Sequence, residues 1–139
     1  MVYTFSLAAK KIIEQVEGKE ELFVREFVKD LSVALIKNTP VDTGRMISAW
    51  WPSVNVPLDG PEVKLPDANK TGAPSIARAA TVSKEIAVGQ TYYIINSQRY
   101  AKWVEHGTTT IKPRLFARRI VAMAPSIAST TAAKIRGLK

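Results

Sequence analysis

Thr39-Pro40-Val41-Asp42-Thr43-Gly44-Arg45, running directly into Met46-Ile47-Ser48-Ala49-Trp50-Trp51, is where a helical hydrophobic pattern ends and an extended one begins. Pro40 fixes its own φ and pushes Thr39 away from the helical region. Asp42 suits a bond to the backbone two residues on, and Gly44 tolerates positive φ. The stretch therefore predicts a turn of fixed angle between a helix and a strand, and the whole chain is arranged on either side of it.

Upstream, Phe23, Phe27, Leu31, Ala34 and Leu35 recur at helical spacing from about Lys19 to Lys37, with Glu20 and Glu21 in the first turn, where the helix dipole favours carboxylates. The Phe23/Phe27 stripe reads as core. Before it, Val2 to Phe5 alternates like a short strand, and Ala9, Ile12, Ile13 and Val16 space out a first helix that Gly18 interrupts. Residues 1–18 thus form an N-terminal arm.

Downstream, Met46 to Val56 reads as a strand, with Pro52 marking an edge or bulge. Its period of two sends Trp50 and Trp51 to opposite faces, one into the core and one toward solvent or a partner. Pro57 to Pro74, rich in proline and glycine, is an extended loop, and Ser75 to Ser83 reads either as one or two helical turns or as part of the loop's return. Glu85 to Val88, Gly89-Gln90 and Thr91 to Asn96 read as a β-hairpin. Tyr100, Trp103 and Val104 sit at i, i+3, i+4 in a short helix closed by Gly107. Pro113 is expected in the first position of a last helix, with Leu115, Phe116, Ile120, Met123 and Ile127 on one face. Pro125 should kink or split that helix, leaving 126–139 as a frayed basic tail.

The fold class expected is α+β in one domain spanning 1–139. It has a small antiparallel sheet of about three to five strands, flanked on one face by a long N-terminal helix and a C-terminal helix, with one long Pro/Gly-rich loop. A chain of 139 residues can bury roughly 68% of its unfolded surface and needs no staple. There is no cysteine, so disulfides, thiol nucleophiles and thiolate metal sites are absent together. Lys10 and Lys11 follow the apolar N-terminal residues instead of preceding them, and no apolar run approaches membrane-spanning length. Cytosolic synthesis and no membrane association are expected.

The net charge of +8 is unevenly placed. Residues 1–105 carry 13 Lys/Arg against 12 Asp/Glu, whereas 106–139 carry seven basic residues and no acid. Arg114, Arg118, Arg119, Lys134 and Arg136 belong to this basic element, which either faces something anionic or is simply solvated. No catalytic constellation accompanies it. The one histidine, His106, rules out a two-histidine metal site, and no G-x-S-x-G, Walker loop or G-x-G-x-x-G is present. Neither cofactor nor metal is expected, and an enzyme is not.

Two segments together carry a resemblance. The T-P-V-D-T-G-R turn, followed by a strand near a tryptophan, and the later I-x-N-x-x-x-Y-A-x-x-x-E-x-G pattern, here Ile94, Asn96, Tyr100, Ala101, Glu105 and Gly107, resemble the neck and tail-completion proteins of long-tailed bacteriophages. This family is also described as minor tail component or head-tail connector. The likeness covers roughly residues 20 to 125 in its ordering of elements. The loop 57–74 is longer and richer in proline than that pattern, and Gln98-Arg99 replaces its apolar or proline-containing lead into Tyr-Ala.

The resemblance implies a virion structural protein of the neck, made in the host cytoplasm and acting in tail completion and head-tail joining. It would assemble with itself as a closed ring, six-fold or twelve-fold, between connector and tail proteins. It implies structural motif residues and no catalytic ones. Pro40, Asp42 and Gly44 would set the turn, Arg45 would pair with a carboxylate such as Glu105, and Asn96 would cap the strand exit. Tyr100 and Trp103 would pack the short helix on the sheet, and Gly107 would let the chain reverse. Interface candidates are the long loop, Trp50, Trp51, Trp103 and the basic residues Arg114, Arg118, Arg119, Lys134 and Arg136, with non-specific DNA contact open to the last group. The competing reading is a non-viral basic module binding nucleic acid without sequence preference; a third, a small hydrolase, would need Glu105 and His106 to line one pocket.

Overall fold

The computed structural model describes residues 16–58 and 68–137. Its elements run α1 (Glu20–Lys37), β1 (Trp50–Val54), α2 (Ala73–Ser83), β2 (Tyr92–Asn96), α3 (Ala101–His106) and α4 (Phe116–Arg136). The class is α+β, with a two-stranded antiparallel sheet between the N-terminal and C-terminal helices. The arm's expected strand at Val2–Phe5 and nearly all of its helix lie outside the described residues.

α1 and α4 form the main helical layer. Phe23, Phe27 and Val28 of α1 meet Ala124, Ala128, Ala132 and Ile135 of α4 in one apolar cluster with Val16 and Ile86. The three alanines, at i, i+4 and i+8, present a smooth ridge with no exposed surface, so the bulk of α1's phenylalanines fits against α4. The Phe23 and Phe27 rings stack at 5.7 Å. Burial on this seam carries α4 through Pro125 for 21 residues. The expected split and the frayed tail are therefore corrected. Pro125 faces solvent, and Thr131, Ala132 and Ile135 beyond it are buried. The apolar face is also shifted: Met123 is exposed, and Ala117, Ala124 and Ala128 take the inward positions.

The sheet lies against these helices. β1 and β2 pair with Trp50 opposite Asn96 and Val54 opposite Tyr92. Trp50, Val54, Tyr92 and Ile94 pack toward the helices, as alternation dictates. Among the described residues there are two strands, fewer than expected, and the hairpin is corrected. Glu85 to Val88 is not a strand, and β2 pairs with the distant β1. β1 is also shorter than Met46 to Val56, because Arg45 to Ser48 make a tight turn in which the Ser48 N–H donates to the Gly44 carbonyl and the Ala49 N–H to that of Met46. The loop 57–74 ends earlier than expected, since Ala73 and Pro74 already open the eleven-residue α2.

Candidate functional site

The pivot sits at the end of the molecule where α1 stops and α4 starts. Thr39 is buried there, and its hydroxyl donates to the Leu35 carbonyl at 2.9 Å while accepting the Trp50 indole N–H at 2.9 Å. Trp50 meets Phe116 of α4 edge to face at 6.3 Å, and the Asn38 amide donates to the Phe116 carbonyl at 2.8 Å. Gly44 has φ +91°, and a Cβ there would lie 2.7 Å from the backbone of Asn69 and Lys70. Glycine is therefore required where the long loop returns. Asn69 is then held by Ser48, whose hydroxyl accepts the Asn69 N–H at 3.0 Å and donates to its carbonyl at 2.9 Å. The side-chain bond inside the turn comes from Thr43, which accepts the Arg45 N–H at 3.3 Å, and not from the exposed Asp42.

The second motif closes on the first. Asn96 donates to the Met46 carbonyl at 2.8 Å and accepts the Gln98 N–H at 3.0 Å, bending the chain out of β2 into α3. Tyr100, at the start of α3, stands within electrostatic reach of the pivot. Burial raises its phenol above the usual range, with Arg45 opposing that shift and Asp42 adding to it.

Glu105 has no exposed surface, and Arg45 is exposed, so the expected ion pair does not form. The Glu105 carboxylate instead accepts the Ala117 N–H at 2.9 Å and the Arg118 N–H at 3.5 Å. These are orphan donors of the first turn of α4, and Leu115 at the N-cap position has φ +50° and offers no side-chain cap. A residue twelve positions upstream has taken the capping role, placing a carboxylate where the helix dipole favours it. The Glu105 carbonyl adds a bond from the Leu115 N–H at 3.1 Å and the Val104 carbonyl one from Arg114 at 2.9 Å. Pro113 accordingly lies outside α4, correcting its expected position. Gly107, at φ +77°, sits beneath the returning loop, where a Cβ would be 2.7 Å from the Ile111 carbonyl oxygen.

The interface candidates divide. Trp50 is core. Trp51 is half-buried, with the Arg78 guanidinium over its ring at 4.0 Å and its indole N–H donating to Ser97 at 3.2 Å. Lys134 bonds Asp30 at 3.1 Å and lies 3.6 Å from Glu26, so its charge is engaged within the molecule. Trp103 is 50% exposed, which corrects its expected place against the sheet; Ala101 and Glu105 are the inward residues of α3. Arg114, Arg118, Arg119 and Arg136 are exposed.

The residue that local patterning misses is Arg78. It donates to the carbonyls of Trp50 and Ser48 and to the Ser75 hydroxyl. Burial lowers its pKa from the ordinary guanidinium value. Its spacing of three from Ser75 on α2 is the sequence signal that this helix face is polar by design.

Glu105 faces α4 while the adjacent His106 is exposed, so the two do not line one pocket. Among the described residues no three His, Asp or Glu side chains gather as a metal site, and no helix is long and apolar enough to cross a membrane. A groove of about 340 Å³ between α1 and α4, lined by Asp30, Met123, Thr130 and Thr131, places no pair of titratable groups together. Compared with protein-family models, with curated proteins and with solved structures, the chain matches none.

Proposed function

We propose that this chain is a structural subunit of the bacteriophage neck, assembling as a ring that completes the tail and joins it to the head. The observation that carries the reading is the meeting of its two motifs. The pivot and the Asn96–Gly107 segment, separated by some fifty residues, bond directly through Asn96 and Met46 and converge on the Trp50–Phe116 contact. The motif residues with resolved contacts fix chain direction at this junction, and Glu105 is used up in capping a helix. A scaffold is what such a motif preserves.

The test is the mass of the purified chain in solution, at low and high salt, with and without a DNA duplex. A discrete ring-sized oligomer is the expected result. A monomer that shifts DNA and releases it steeply with salt would replace this reading with a nucleic-acid module. That second reading has one specific observation behind it. The fold sets the exposed aromatics Tyr100 and Trp103 on the segment that leads into Arg114 and Arg118, an interleaving of rings and cations that α4 alone does not have.

A further inference from the structure

From Ser97 to Arg119 the chain exposes Arg99, Lys102, Lys112, Arg114, Arg118 and Arg119. The one acid in that stretch, Glu105, is fully buried and turned on α4. Large apolar side chains stand among these cations: Tyr100 is 36%, Trp103 50% and Ile111 52% exposed. Tryptophan, tyrosine and arginine together make the composition of a protein-binding hot spot, whereas phosphate contact alone would have no use for an exposed isoleucine.

One segment of the same chain has the complementary chemistry. Pro57-Leu58-Asp59-Gly60-Pro61-Glu62-Val63-Lys64-Leu65-Pro66-Asp67 carries three carboxylates, one ammonium and three aliphatic side chains. The chain leaves the sheet beyond Val54, which pairs with Tyr92, and is described again from residue 68, with Asn69 held by Ser48 at the pivot. An acidic, aliphatic segment and a basic, aromatic surface on the same chain are the complementary pair that a head-to-tail interface needs.

We infer that the exposed aromatic and basic face of α3 and the start of α4 docks residues 57–67 of a second copy. This rests on the ring reading and names which surface meets which. The aliphatic side chains cover Trp103 and Ile111, and the carboxylates meet the arginines.

Two measurements on the full chain test it. The first compares the solution mass of the wild type with that of a variant neutralised in the segment, Asp59→Asn/Glu62→Gln/Asp67→Asn. The second titrates a synthetic peptide of residues 57–67 into that neutralised variant, following tryptophan fluorescence, with a Trp103→Phe form to assign the signal. Self-association should weaken at least about tenfold on neutralisation, and the peptide should bind saturably below about 1 mM and lose about tenfold on Arg114→Glu/Arg118→Glu. Rings that form equally well after neutralisation, or a host that ignores the peptide, overturn this inference and leave the ring reading standing. Peptide binding with no change in mass between wild type and variant means the segment folds onto its own chain, which also overturns it. A chain that never forms a ring removes the ring reading itself, and this inference with it.

Discussion

The two edges of the sheet are finished differently. Three outward-facing groups of β1 are occupied and one donor is missing: the Trp50 N–H donates to Ser75 at 3.2 Å, its carbonyl accepts from Arg78 at 3.0 Å, the Val54 carbonyl accepts the Val56 N–H at 2.8 Å, and Pro52 has no N–H to offer. On β2 the ladder uses alternate residues, in phase with the flanking bonds from Ser97 to Ala49 and from Asn55 to Thr91. Tyr92, Ile94 and Asn96 therefore turn their backbone N–H groups away from β1, and among the described residues nothing accepts them. A proline and a guanidinium obstruct the addition of a strand on the β1 side, and among the described residues the β2 side carries no such obstruction. Among the described residues, the difference is that side chains of α2 engage the β1 edge and none engages the backbone of the β2 edge.

Arg78→Met should have the largest effect on this contrast, because it keeps the aliphatic stem and strips the donors from the Trp50 and Ser48 carbonyls. A loss of about 2 to 3 kcal/mol in chemical denaturation is expected, and a fall below about 0.5 kcal/mol would mean that water seals the edge equally well. Ser75→Ala comes next. Its hydroxyl bridges the Trp50 N–H and, at 2.7 Å, the Ile47 carbonyl within a fully buried site, so about 1 to 2 kcal/mol should disappear.

On β2, Tyr92 is tied to α1 through Ser32 at 2.9 Å, and burial pushes its phenol up to about 12, with the Ser32 bond opposing. A folded pKa above the unfolded value of 10.0 means that this stability is full below pH 10 and is lost as pH rises toward about 12. Tyr92→Phe should cost about 1 kcal/mol at neutral pH and flatten the alkaline fall in melting temperature. An unchanged alkaline slope would assign that fall to other groups.

The smallest perturbation is isotopic. In the isolated chain the Ile94 amide should exchange at least about tenfold faster than that of Ile95, which faces β1. Equal protection would show that the β2 edge is already covered.

Much of this was legible locally. The Phe23/Phe27 stripe located α1, and the period of two separated Trp50 from Trp51. The misses are long-range. Gly89 does make a turn, in which Gln90 donates to the Ala87 carbonyl, but the partner of β2 lies some forty residues upstream and leaves no mark near that turn. Pro125 was expected to kink or split α4 because local propensity disfavours it. Buried Ala124, Ala128 and Ala132 hold the helix together across it. At the junction, Glu105 was expected to pair with Arg45, the cation of the other motif. Only the fold reveals that its carboxylate serves amides twelve residues later.

That long-range cap has a mechanical consequence. Because Glu105 clasps the start of α4 and Gly107 seats the returning loop, the excursion from Thr108 to Arg114 is a handle with a fixed base. Arg114, bonded to the Val104 carbonyl, is one residue from the α4 N-cap, so a load taken up on the handle is passed to the start of α4, the helix whose alanine ridge meets α1.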